Sequence, residues 1–190
     1  EQLRAMYEAA RADALRDGLT GLGNHRGFQE ELDHQMEWHR RHKVPFALLL
    51  VDLDDLKLTN DTRGHSAGDE MVRAMGRLIA ETARYADRAF RIGGDEFAIL
   101  MPHTGAAEAL DIGRRLLARA LAEPSGAIPI SGGVSACPAL ATTRNQLYAQ
   151  ADAALYWCKR HGRASLDVFD PVRDRDADAS PSGGESSQIA

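Results

Sequence analysis

The sequence predicts an α+β domain in which a mixed sheet is covered by helices. Three observations carry this. A nearly continuous apolar run at 46–54 (FALLLVDLD) reads as a central strand buried on both faces and ending in carboxylates. Two further apolar runs, Ala89–Ile92 and Phe97–Met101, flank Gly93-Gly94, a dipeptide suited to a tight hairpin with positive φ at both turn positions, so they should be antiparallel neighbours. Helical periodicities alternate with strands elsewhere without repeating a crossover unit.

The elements follow in order. Residues 1–16 (EQLRAMYEAARADALR) carry Leu3, Met6, Ala10 and Ala14 at helical spacing, a narrow apolar stripe. The chain begins inside this pattern. It reads either as a coiled-coil lead-in from an upstream module or as a helix packed on its own domain. Residues 26–42 form a second helix with Phe28, Leu32, Met36 and Trp38 facing inward; its histidines, His34, His39 and His42, lack metal-ligand spacing and belong on the surface. The strand at 46–54 precedes a helix over 67–83 with Met71, Met75, Leu78 and Ile79 as its buried stripe. After the hairpin come a helix over 106–122, its stripe Leu110, Leu117 and Leu121, a strand around 128–135 and a helix over 144–161. From Pro171 the large apolar residues nearly vanish, so 171–190 reads as a disordered tail or linker.

Composition narrows the function classes. With 190 residues, 44% hydrophobic and 27% charged, the chain has material for one core and a single domain. A net charge of −5 gives no general pull toward nucleic acid or anionic membrane, so a phosphate ligand must be held by local groups. The two cysteines, Cys137 and Cys158, have neither CxxC nor zinc spacing and fit reduced packing residues in a cytoplasmic protein. No apolar run is long enough to span a bilayer, although a parent protein could be membrane-anchored.

Chemistry concentrates at two places. Asp52 and Asp54 emerge from a hydrophobic strand, where a lone charge is costly unless paired or metal-bound. Asp95 and Glu96 follow the Gly-Gly turn directly. Either segment alone fits ordinary strand-end acids in water. Together they would repel unless a cation sat between them, and a hard metal with phosphate and water ligands suits such a set.

RIGGDEF at 91–97 resembles the signature of the GGDEF family of diguanylate cyclases. Three further segments resemble the family in order: DGLTGLGNHRGF at 17–28, VDLDDLKLTNDTRGHSAGDE at 51–70 and ADAALYWCKRHGR at 151–163. The resemblance covers roughly 17–170. It implies a palm-like, mostly antiparallel sheet flanked by helices, and an enzyme that condenses two GTP into cyclic di-GMP and two pyrophosphates. Each subunit would be a half-site, so a homodimer must form.

The resemblance also implies roles at matching positions. Asp52, Asp95 and the backbone carbonyl of Leu53 would hold two Mg²⁺ ions, with Mn²⁺ as a substitute. Asp95 would also help deprotonate the attacking 3′-hydroxyl; Glu96 supports the same site, and the two roles stay unseparated. Gly93 and Gly94 would let backbone approach the nucleotide. Asn60 and Asp69 would read guanine, with His65 in the same segment; a carboxylate accepts from guanine N1–H and its amine, favouring G over A. Lys57, Lys159 and Arg163 would hold phosphate and stabilise transition-state charge. Arg84 and Asp87 of RYAD, with Arg115 from the following helix, match an inhibitory product site.

Several positions depart from the family pattern: Leu56 for Phe, Gly18 for Pro, His25 for Arg and Cys158 for Ala. Gly132 stands where a branched residue is usual and should loosen its strand. None removes a metal, guanine or phosphate group. Other classes stay in view: an inactive domain that binds GTP or cyclic di-GMP as a signalling module, a structural dimerisation module, or a cyclase making adenine-containing products, which the intact Asp69 argues against.

Overall fold

The computed structural model describes residues 13–174 together with Gln2, Arg4, Met6 and Arg11. Those four are helical, and the rest of the expected lead-in helix up to residue 12, like most of the expected C-terminal tail, lies outside the described residues. The elements are α1 (His25–His42), β1 (Phe46–Leu53), α2 (Leu56–Arg63), α3 (His65–Thr82), β2 (Arg88–Arg91), β3 (Glu96–Pro102), α4 (Ala106–Leu121), β4 (Ile130–Cys137), α5 (Arg144–Arg160) and β5 (Leu166–Val168).

They form one five-stranded sheet in the order β2-β3-β1-β4-β5. The first three pairings are antiparallel, and β4 with β5 is parallel. The mixed, mostly antiparallel sheet is the one expected. β1 is central because every one of its residues is buried. Its alternation sorts them: Ala47, Leu49, Val51 and Leu53 join α3 and α4 in one core layer, while Phe46, Leu48 and Leu50 join α1 and α5 in the other. By the same alternation Asp52 falls on the α5 side. That layer ends there, and the carboxylate meets the ammonium of Lys159 from α5.

Asn24 caps α1 by accepting from the Gly27 N–H, and Thr143 caps α5 by accepting from the Gln146 N–H. Two elements escape the sequence pattern. Helix α2 buries no residue, so it has no apolar stripe to read, and β5 is only three residues long. Gly64, at φ 84°, ends α2 and admits the turn into α3.

Three expectations need correction. Trp38 is exposed and lies against His42, with ring centroids 4.1 Å apart, instead of entering the core. Helix α4 centres its inner face on Ala109, Ile112, Gly113, Leu116 and Ala120; of the expected stripe Leu110 and Leu117 are half-buried against the same core, and Leu121 is exposed. The Gly93-Gly94 turn is not a two-residue turn with positive φ: neither glycine has one, and residues 92–95 form a wider loop closed by the Ile92 N–H donating to the Glu96 carbonyl at 2.9 Å. Gly132 also has a packing role in β4. A Cβ there would collide with Leu166 and the Leu50 carbonyl, and one on Gly133 would collide with the Ala151–Leu155 backbone of α5. The two glycines let helix and β5 sit directly on the strand.

Candidate active site

The strand register brings the acids together. Asp52 on β1 lies directly across from Glu96 on β3. Side chains paired in this way stand on one face within about 5.5 Å at Cβ, and like charges so placed repel. Asp95 is tied to the same strand end, its carbonyl accepting from the Leu53 N–H at 3.0 Å. From α5 the Lys159 ammonium reaches Asp52 at 2.8 Å.

The environment leaves the carboxylates short of compensation. Burial raises the Asp52 carboxyl to about 6; Lys159 pulls against that, and Asp95 and Glu96 push it further up. Glu96 is raised as well, first by burial and then by Asp95. Among the described residues no three His, Cys, Asp or Glu side chains close on one point as a ready cage. An open set of two or three acids in a half-buried pocket suits a hard divalent cation that completes its shell with water and phosphate.

A cavity of about 420 Å³ collects six expected residues: Asp52, Leu53, Lys57, Asp95, Lys159 and Arg163. Arg163 also pairs with Asp55. Gly93 fits against Glu96, whose side chain a Cβ would strike, while a Cβ on Gly94 would meet nothing, leaving open room beside the turn. Asn60, His65 and Asp69 do not line this cavity; they lie along α2 and the start of α3, where the Asn60 amide packs against Gly68 and a Cβ there would push it aside. Asp69 and His65 are exposed. A cleft of about 380 Å³ on another side of α2 and α3, bordered by Arg63, Arg73 and Arg77, contains none of the expected residues.

RYAD is not an Arg84–Asp87 side-chain ion pair. Asp87 is buried and accepts from the Arg84 backbone N–H at 2.7 Å, while the Arg84 guanidinium pairs with Glu108 of α4 at 2.8 Å. The second oxygen, Asp87 Oδ1, is buried without a hydrogen-bond partner among the described residues. Arg84 and Asp87 line a groove of about 510 Å³ with Leu22, Arg88 and Phe90. Arg115 is exposed on α4 and does not line it.

A family model described as the GGDEF domain of diguanylate cyclases matches residues 14–165. The chain belongs to the GGDEF family of diguanylate cyclases. This GGDEF chain is 35% identical over 163 residues to the diguanylate cyclase DgcS of Shewanella oneidensis, covering 85% of the chain and 55% of that protein. To the response regulator PleD of Caulobacter vibrioides it is 35% identical over 161 residues, covering 80% of the chain and 36% of PleD. It thus spans about half or less of these curated relatives. Among solved structures, the coiled coil and GGDEF domain of DgcB from Caulobacter crescentus, in complex with c-di-GMP, superposes with a TM-score of 0.81 at 30% identity, covering 88% of this chain and 92% of that one. The diguanylate cyclase SiaD of Pseudomonas aeruginosa, in complex with its activator SiaC, gives 0.79 at 31%, covering 88% and 66%. Diguanylate cyclases of this family are generally metal-dependent. No helix among the described residues is long and apolar enough to cross a membrane.

Sequence reasoning misses two contributors. Asp54 is legible as a strand-end acid, but its buried hydrogen bonds to Ser131 and the Ala164 N–H are not. Arg91 belongs to the RIGGDEF signature, yet only the fold shows it bonding both Asp17 and the Gly94 carbonyl. The GGDEF string is a signal for neither contact.

Proposed function

We propose that this GGDEF domain is a working diguanylate cyclase, one half-site of a homodimer that turns two GTP into cyclic di-GMP and two pyrophosphates. The observation that carries the reading is the Asp52–Glu96 cross-strand pair facing Lys159 beside a cavity that also holds Asp95, Lys57 and Arg163. In this reading Lys57, Lys159 and Arg163 grip the triphosphate, and Asn60 and Asp69, with His65 nearby, read guanine. Asp95 takes the proton of the 3′-hydroxyl as its oxygen attacks the α-phosphorus of the partner's GTP; the bond to pyrophosphate breaks, and repetition with roles exchanged closes the ring. Two Mg²⁺ ions, replaceable by Mn²⁺, would be held by Asp52, Asp95 and the Leu53 carbonyl, and when bound supply Lewis-acid stabilisation of phosphate charge.

Residues 17–170 carry the reaction, and 1–16 link it to an upstream sensory domain. GTP as substrate and two free, buried cysteines suit the cytoplasm. In this reading the groove at Arg84 and Asp87 takes the product as inhibitor, with Arg115 of α4, outside the groove lining, as a further phosphate contact.

The test is incubation with GTP and Mg²⁺, followed by mass identification of the nucleotide, for wild type and Asp95→Asn. Cyclic di-GMP from wild type alone is the expected result. GTP binding without turnover by either would make the domain a signalling module.

A further inference from the structure

We propose that Asp54 is a positioning residue that clamps the turn carrying Arg163, and that it is not a metal ligand despite standing two residues from Asp52. This rests on the cyclase reading above. Asp54 lies just past the end of β1 and is only 3% exposed. Its carboxylate is already committed: the Ser131 hydroxyl of β4 donates to Oδ1 and Oδ2 at 2.9 and 3.0 Å, and the Ala164 N–H donates to Oδ2 at 2.9 Å. A carboxylate accepting from fixed donors on two elements is a fastener, with little left to offer a cation.

What it fastens would not hold its shape unaided. After α5 the chain passes through Gly162, Arg163 and Ala164 at φ 113°, 58° and 44°. Glycine adopts such angles freely; arginine and alanine do so at a cost that surrounding contacts must offset. The Ala164 N–H bond to Asp54 is such a contact, and the Arg163 N–H donating to the Cys158 carbonyl at 3.1 Å is the other. Asp55 is itself left-handed at φ 63°, and its carboxylate pairs with the Arg163 guanidinium. Of these three non-glycine residues with positive φ, Ala164 is bonded to the buried Asp54 carboxylate while Arg163 and Asp55 are paired with each other beside it, and the side chain they present, Arg163, lines the cavity with Lys159. Strain of this kind, held by a dedicated bond, fixes the direction of a phosphate-gripping arginine before the ligand arrives.

The experiment compares wild type, Asp54→Asn and Asp54→Asn with Ala164→Gly, using inorganic tripolyphosphate as the binding probe and GTP turnover across a Mg²⁺ series. Asparagine keeps the volume but puts an amide donor where an acceptor stood. The expected result is about tenfold weaker tripolyphosphate binding and an equal rise in KM for GTP, with kcat within about threefold and the Mg²⁺ concentration for half-maximal rate unchanged. Adding Ala164→Gly, which removes the cost of the left-handed turn, should return KM to within about threefold of wild type. A Mg²⁺ requirement that rises with Asp54→Asn, or unaltered tripolyphosphate binding, would overturn the clamp. Should Asp54→Asn not fold, Ser131→Ala removes one donor from the same carboxylate and should raise KM about threefold; an unchanged KM there overturns it equally. If wild type makes no cyclic di-GMP while Asp54→Asn still weakens tripolyphosphate binding, the cyclase reading fails and the clamp stands.

Discussion

Arg91 joins Asp17 to the signature turn: its Nη1 lies 3.3 Å from Asp17 Oδ2, and its Nη2 donates to the Gly94 carbonyl at 2.8 Å. Asp17 also accepts from the Thr20 N–H at 2.9 Å and the Thr20 hydroxyl at 2.7 Å. The segment leading in from the N-terminus is therefore braced against the turn that carries Asp95.

Breaking that brace should weaken both fold and reaction. Burial alone would raise the Asp17 carboxyl, but the Thr20 hydrogen bonds and Arg91 outweigh it and hold it below 3.8. A depressed folded value means the stabilisation is present above the ordinary value and is lost as pH falls through the folded one. Asp17→Asn should cost about 1–2 kcal/mol at neutral pH and lower turnover. Urea midpoints of the two proteins should differ at pH 7 and converge below about pH 4; a gap that persists in acid would mean the charge is not what matters.

Asp52 should behave in the opposite sense. Its folded pKa, about 6, lies above the ordinary 3.8, so the native state holds a proton that the unfolded chain releases, and stability falls as pH rises through that window. Without metal, Asp52→Asn should therefore melt no lower than wild type at pH 7.5, since Lys159 keeps access to water. With Mg²⁺, wild type should gain melting temperature at pH 7.5, lose that gain below about pH 6 as the carboxyl protonates, and the variant should gain little at either pH. Equal Mg²⁺ protection of both proteins would remove Asp52 from the metal set.

How far the sequence reaches is visible in particular residues. FALLLVDL is legible as the central strand because burial on both faces leaves an unbroken apolar run, and Asp52 as exceptional because it interrupts one. The motif places Glu96 near the site, but its position across from Asp52 depends on register, which a four-residue loop sets and a Gly-Gly pair does not reveal. Helix α2 is hidden because nothing on it is buried, and the inner face of α4 is obscured because Ala109, Gly113 and Ala120 turn inward, where close approach favours small residues over leucine. The Asp54 clamp joins residues 110 apart in sequence, and no local pattern announces it.

Gly133 offers a stability test that leaves the acids alone. Helix α5, which carries Lys159, rests on the β4 backbone so closely that a methyl on Gly133 would overlap the Ala151 carbonyl and the Leu155 N–H. These are backbone atoms and cannot rotate aside. Gly133→Ala should destabilise by about 3 kcal/mol or more, read as a lowered urea midpoint. Gly94→Ala, which meets nothing within 4 Å among the described residues, should leave the midpoint within about 0.5 kcal/mol of wild type. A tolerated Gly133→Ala would show that helix and strand do not touch as described.

Control by product should depend on an exchange of partners at Arg84. The guanidinium is held by Glu108 through Nη2, so that carboxylate competes with a product phosphate for it. Both partners are about half exposed, and such a pair is worth at most about 1 kcal/mol, so the exchange is easy but not free. Glu108→Gln should then lower the cyclic di-GMP concentration for half-inhibition by about two- to fivefold, since neutral glutamine competes less well for Arg84. Arg84→Ala should raise that concentration by at least about tenfold, because a forked, charged contact to phosphate is lost. Inhibition should be non-competitive with GTP, as the groove at Asp87 and the cavity at Asp52 share no lining residue. Initial rates measured against added product for the three proteins decide it. Equal inhibition of all three, or inhibition that excess GTP reverses, would leave the Arg84–Glu108 pair as an ordinary surface contact and the buried Asp87 as no more than the cap of its own turn.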